Sequence, residues 1–163
     1  MKKLVALFAV LAVIAVTVGI AVAADLPRSG KFNIHSGWKG VGETNQVADN
    51  HMFWYGGYWG VTYNDAGEGL LHMGGVLCTA VTESISGKTS GKGLCAWGDA
   101  DGDRIFTDWS GADTPVGEFS GLNKITGGTG KFAGVQGTAP FQCRFLNASG
   151  QGTCKQQFEY RLP

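Results

Sequence analysis

Four cysteines constrain this 163-residue chain more than any other feature. Cys78 and Cys95 stand at equal distances from the Ser86-Gly87 pair, and Cys143 and Cys154 at equal distances from Ala148-Ser149. Four cysteines allow three pairings in principle. The symmetry selects one of them, because folding each segment into an antiparallel hairpin about its turn-like midpoint sets the two thiols directly opposite. The sequence therefore predicts two hairpin disulfides, Cys78-Cys95 and Cys143-Cys154. A metal site is not predicted: there is no Cys-x-x-Cys, and His35, His51 and His72 are not at ligand spacing from the cysteines.

Such bonds need an oxidising compartment, and the amino terminus supplies the route to one. Lys2 and Lys3 precede an uncharged apolar run from Leu4 to Ile20, which closes on Ala21, Val22 and Ala23. Positive start, apolar middle and small-residue end make a secretion signal cut after Ala23. The expected division is a signal peptide over 1–23 and one domain over 24–163, secreted or periplasmic and free of the membrane once cut. Losing Lys2 and Lys3 leaves 11 basic residues against 13 acidic ones. A body so nearly neutral, without a basic cluster, lacks the footprint for nucleic acid.

With 27 glycines and no sustained apolar repeat at helical spacing, the remainder reads as short β-branched and aromatic runs divided by turns. Eight strands are expected, near Lys31–Val41, His51–Tyr63, Leu70–Val81, Gly91–Asp99, Arg104–Ser110, Val116–Thr126, Gly137–Leu146 and Thr153–Leu162. The connections are short enough to return each strand to its neighbour. The predicted fold class is all-β: an eight-stranded antiparallel up-and-down barrel, whose closure removes both edges. Asp101-Gly102 is read as a two-residue hairpin turn. That register pairs Trp97 with Phe106 and Asp99 with Arg104. It places Cys95, Trp97 and Phe106 on one face and Leu94, Ala96, Ile105 and Trp109 on the other, so that both faces are apolar and self-association into a homo-oligomer is expected.

The segment Gly127-Gly128-Thr129-Gly130-Lys131-Phe132-Ala133-Gly134-Val135-Gln136-Gly137 reads as a glycine-rich connection with a short helical turn, Phe132 tucking into the barrel end as a plug. It resembles a motif of the allene oxide cyclase and dirigent barrel superfamily. The resemblance implies an eight-stranded calycin-like barrel, often trimeric, which holds a reactive and mostly apolar molecule in a shaped cavity. Gly93 to Asp103 is similar to a stretch found in small exported bacterial proteins of unassigned role. Neither likeness places a catalytic residue on this chain.

Candidate chemistry is sparse. Asp99, Asp101 and Asp103 alternate as calcium ligands do, but Arg104 stands where an EF-hand loop needs glycine and Ser110 where it needs a bidentate glutamate. They are read as an acid-lined turn, and no metal or cofactor is expected. Asn147-Ala148-Ser149 is read as a turn. The dense run Phe53, Trp54, Tyr55, Tyr58, Trp59 and Tyr63 surrounds Gly56-Gly57, and Trp54, Tyr55, Tyr58 and Trp59 are the candidate ligand-binding rings. His51 and His72, with Asp49, Asp65 and Glu68 nearby, are the candidates for acid-base catalysis. Nothing resembles an activated nucleophile or a phosphate loop. Three functions fit: a binding module for a small apolar or aromatic molecule, a cyclase or dirigent-type enzyme guiding ring closure or coupling, and a partner-binding protein with a filled barrel.

Overall fold

A computed structural model describes residues 26–114 and 118–163. The expected signal peptide over 1–23, and Val116 and Gly117 of the expected sixth strand, lie outside the described residues. The strands are β1 (Ser29–Ala48), β2 (His51–Asn64), β3 (Gly74–Ile85), β4 (Lys88–Gly98), β5 (Arg104–Asp113), β6 (Phe119–Gly128), β7 (Gln136–Phe145) and β8 (Gln151–Arg161), with a 3-10 turn over Gly130–Phe132. They form a closed antiparallel barrel in sequence order. Closure is made by β1 on β8, from Ser29 opposite Arg161 to Lys39 opposite Gln151. Beyond Lys39, β1 runs on to Ala48 paired with β2 alone, so the β1–β2 hairpin overhangs that end of the barrel.

Strict alternation sorts the side chains. Along β3, Val76, Cys78 and Ala80 are buried inward while Leu77 and Val81 are about half exposed. The cysteines fall in register, Cys78 opposite Cys95 on β3 and β4 and Cys143 opposite Cys154 on β7 and β8. Both pairs are bonded, each with its Cα atoms 4.0 Å apart.

The two barrel ends differ. At the base, Leu71 and Phe132 close the interior with no exposed surface, packed over Ile34, Ile105 and Phe158. The turn that carries Phe132 needs glycine on both sides, since Gly130 and Gly134 hold φ of +51° and +75°. The segment before β1 meets the segment after β8 at the base, where the Leu162 amide donates to the Arg28 carbonyl at 2.6 Å. The opposite end, where β1 turns into β2, β3 into β4 and β7 into β8, is open.

Two sequence expectations are corrected. Leu70 and Leu71 do not start β3, which begins at Gly74. They belong to a connection organised by Asn64, whose Nδ2 donates to the Leu70 carbonyl at 2.9 Å and whose Oδ1 accepts from the Ala66 amide at 3.0 Å. The β4–β5 turn is also one residue longer than a two-residue hairpin. The Asp99 amide donates to the Asp103 carbonyl at 2.8 Å, around a loop in which Gly102 takes φ of +87°. The longer loop shifts the register by one, so Trp97 faces Ile105 and Ala96 faces Phe106. Trp97, Ile105 and Trp109 consequently share the interior with Cys95, whereas Phe106 points outward. Asp99 does not pair with Arg104; its carboxylate lies 2.7 Å from Lys131 Nζ.

Candidate functional site

Above the plugged base the barrel is hollow. A cavity of about 490 Å³ runs from the floor to the open mouth, walled by Trp38, Trp54, Tyr58, Trp97, Trp109, Phe119 and Phe141 and by both disulfides. That volume lies within the range of small-molecule sites.

Glycine explains why rings so large leave a lumen. On β1 and β2, Gly42 lies opposite Gly56, and a Cβ at either would come within 2.5 to 2.7 Å of the Trp54 ring. The indole therefore lies flat on the wall, where any side chain would push it into the lumen. Tyr58 rests in the same way against Gly40, where a Cβ would stand 2.8 Å from its ring. Phe141 covers Gly121, with a corresponding distance of 2.6 Å. Glycine pairs with rings around the wall, and the rings touch one another. Tyr58 stacks on Trp54 at 5.2 Å between centroids and meets Trp38 edge-on at 4.8 Å. Phe119 stacks on Phe141 at 6.2 Å.

The lumen is apolar but not featureless. Near the floor, Trp97 Nε1 donates to Thr107 Oγ1 at 3.0 Å, Thr107 donates to Asn123 Oδ1 at 3.1 Å, and Asn123 Nδ2 donates to the Ala139 carbonyl at 3.2 Å. Gln156 Nε2 donates to Ser36 Oγ at 3.3 Å, while Gln156 Oε1 has no partner among the described residues. The charged side chains of the lining are Asp113 and Arg144, both exposed at strand ends by the mouth. Burial among the rings pushes the Tyr58 hydroxyl up to about 12, so the phenol stays protonated.

The residues singled out from the sequence are dispersed. Trp54 and Tyr58 line the lumen. Tyr55 and Trp59 have the opposite parity and stand on the outer wall, 47% and 50% exposed, with the Tyr55 hydroxyl donating to Glu43. His51 is on the outward parity of β2 beside the mouth, its Nε2 2.7 Å from Glu83 Oε1. His72 lies in the β2–β3 connection at the base, its ring edge-on to Tyr63 at 6.0 Å. The two histidines are thus at opposite ends, and neither reaches the lumen. A third, His35, pairs through Nδ1 with Asp65 at 2.7 Å, also outside.

The aspartate turn holds an amine. Lys131 Nζ lies 2.7 Å from Asp99 and 2.6 Å from Asp101, and Asp103 accepts the Lys131 amide at 3.1 Å. Burial works against the charge on Lys131, but Asp101 and Asp99 outweigh it and hold the amine above its ordinary range. Among the described residues no group of three or more histidine, cysteine or acidic side chains is arranged to hold a metal ion.

Trp38, Trp97, Trp109, Phe119 and Phe141 were not among the rings chosen from sequence. A signal was present for Trp97, which lies two residues from Cys95 and must share its face, but it required the disulfides to be known as inward.

No protein-family model and no curated protein matches the chain. Among solved structures it is similar to a pterocarpan synthase dirigent protein, at 17% identity and a TM-score of 0.45, covering 83% of this chain and 90% of that one. No residue of the lumen takes a role from that similarity.

Proposed function

We propose that this chain is an exported binding module whose barrel takes one small, neutral, apolar or aromatic molecule into its lumen through the mouth. The observation that carries the reading is the cavity of about 490 Å³, walled by rings that glycines hold back against the strands. Aromatic walls offer apolar area and stacking faces, and the charges confined to the rim favour a neutral guest. The two disulfides fit an oxidising compartment and, with the apolar amino terminus, support export. A filled-barrel protein would have no use for a lumen of this size. Guided ring closure or coupling would use the same lumen, and turnover of a reactive guest is what separates it from binding. The placement of His51–Glu83 and His35–Asp65 outside the cavity favours binding.

The outer wall supports a second part of the proposal, association with further copies of this chain. Trp59, Leu77, Ala96 and Phe106 are successive cross-strand partners on β2 to β5 and form an outward apolar row. Patches of this kind mark interaction surfaces.

Native mass spectrometry of protein taken gently from its exported compartment, together with quenching of tryptophan emission by ethylnaphthalene, tests the binding reading. A retained small molecule, or saturable one-to-one quenching, is expected. Bare protein that also ignores the hydrocarbon probe would overturn it.

A further inference from the structure

Three lumenal indoles have partners for their N–H groups: Trp38 donates to Cys154 Sγ at 3.1 Å, Trp97 to Thr107 at 3.0 Å and Trp109 to the Thr79 carbonyl at 3.1 Å. Trp54 Nε1 has none among the described residues, and Tyr58 likewise departs from this pattern. Its ring is fixed on three sides, stacked on Trp54, edge-on to Trp38 and flat against Gly40. Its hydroxyl has no hydrogen-bond partner among the described residues. The residue is partly buried, and the hydroxyl is not shut away in the wall, so it is free to meet a guest. Here it lies in the lining of an apolar cavity, and its surroundings keep it a neutral donor.

We infer that Tyr58 is the specificity-determining residue of the lumen, donating a hydrogen bond to a carbonyl oxygen of the guest, so that the barrel prefers an aryl ketone or similar neutral carbonyl compound to a pure hydrocarbon of the same shape. This rests on the binding reading above. The physical basis is preorganisation: the ring cannot swing away, the hydroxyl loses no protein partner when it donates, and the apolar wall strengthens the bond.

The test compares acetylnaphthalene with ethylnaphthalene, which differ by the carbonyl, on the intact mature protein and on Tyr58→Phe. The substitution should weaken the ketone about ten-fold, the scale of one hydrogen bond in an apolar site, and leave the hydrocarbon unchanged. Phe141→Leu, which removes a ring from the wall and no hydrogen-bond donor, should weaken both probes alike. In unmodified protein the carbonyl stretch of the bound ketone should move to lower frequency, and this readout does not depend on a variant folding. An unshifted carbonyl, an unchanged ratio of affinities in Tyr58→Phe, or tighter binding of naphthol than of the ketone would overturn the assignment while leaving the lumen reading intact. Failure of every probe to bind would instead overturn the lumen reading.

Discussion

The Trp54 indole lies so close over Gly56 that a methyl group at the glycine would come within 2.7 Å of the ring. The same methyl would stand 2.6 Å from the Gly42 Cα on the neighbouring strand. Gly56→Ala must therefore separate β1 from β2 or drive Trp54 into the lumen. A loss of about 2 kcal/mol, as for other overpacked interiors, is expected in urea titrations, together with weaker binding of naphthalene probes.

Lys131 offers a test at the base. Its amine neutralises Asp99, whose side chain is only 5% exposed. Lys131→Met should cost about 2 to 3 kcal/mol, since the carboxylate keeps its burial and loses its counter-charge. The cost should shrink when Asp99→Asn is added, and a double-mutant cycle in urea measures that coupling.

Tyr58 gives stability a pH dependence at the alkaline end. Its hydroxyl titrates near 12 in the folded protein against 10.0 when exposed. A folded value above the unfolded one means the stabilisation is complete below pH 10 and is lost as pH rises toward 12. Tyr58→Phe should flatten that limb by up to about 2 kcal/mol, read as the difference in unfolding free energy between pH 9 and pH 11.5.

Reduction tests the staples. Each disulfide closes a short loop, 17 residues apart for Cys78–Cys95 and 11 for Cys143–Cys154. Loops of this length are worth about 3 kcal/mol apiece in the unfolded chain. Replacing either cysteine pair by alanine should lower the melting temperature by several degrees without changing far-ultraviolet dichroism, because the strands are paired throughout the barrel.

The outer apolar row predicts assembly. Sedimentation at micromolar concentration should show more than one copy, and Leu77→Lys, a surface change that leaves the lumen alone, should return the protein to a monomer. A clean monomer before substitution would remove the proposal.

Strand number, strand order and disulfide pairing were legible because each depends on local spacing: runs of alternating residues, short turns, and cysteines symmetric about Ser86-Gly87 and Ala148-Ser149. The β4–β5 register was not legible. Asp101-Gly102 suits a two-residue turn equally well in composition, and the extra residue that reverses the faces of Ile105 and Phe106 is selected by the loop from Asp99 to Asp103. Leu70 and Leu71 read as strand by hydrophobicity, whereas the base needs an apolar plug, and Leu71 adopts φ of +58° to supply it. The lumen was half legible. Alternation separates Trp54 and Tyr58 from Tyr55 and Trp59, but only the closed sheet decides which pair is inside. Gly56 lies two residues from the Trp54 it seats, but Gly40 meets Tyr58 and Gly121 meets Phe141 only across neighbouring strands, and no local pattern relates them.

The meeting of Arg28 with Leu162 at the base, where the Arg28 guanidinium also donates to the Pro163 carbonyl at 3.0 Å, bears on how the molecule can be rebuilt. In a chain shortened to begin at Leu26, the two ends could be joined by a short linker and new ones opened at an exposed turn. Cutting at Ser86-Gly87 would give a circular permutant whose termini emerge at the rim, so that a fused reporter or peptide would sit over the mouth as a gate. Fusion beside Arg28 or after Pro163 would anchor the barrel by its foot, like a cup set upright.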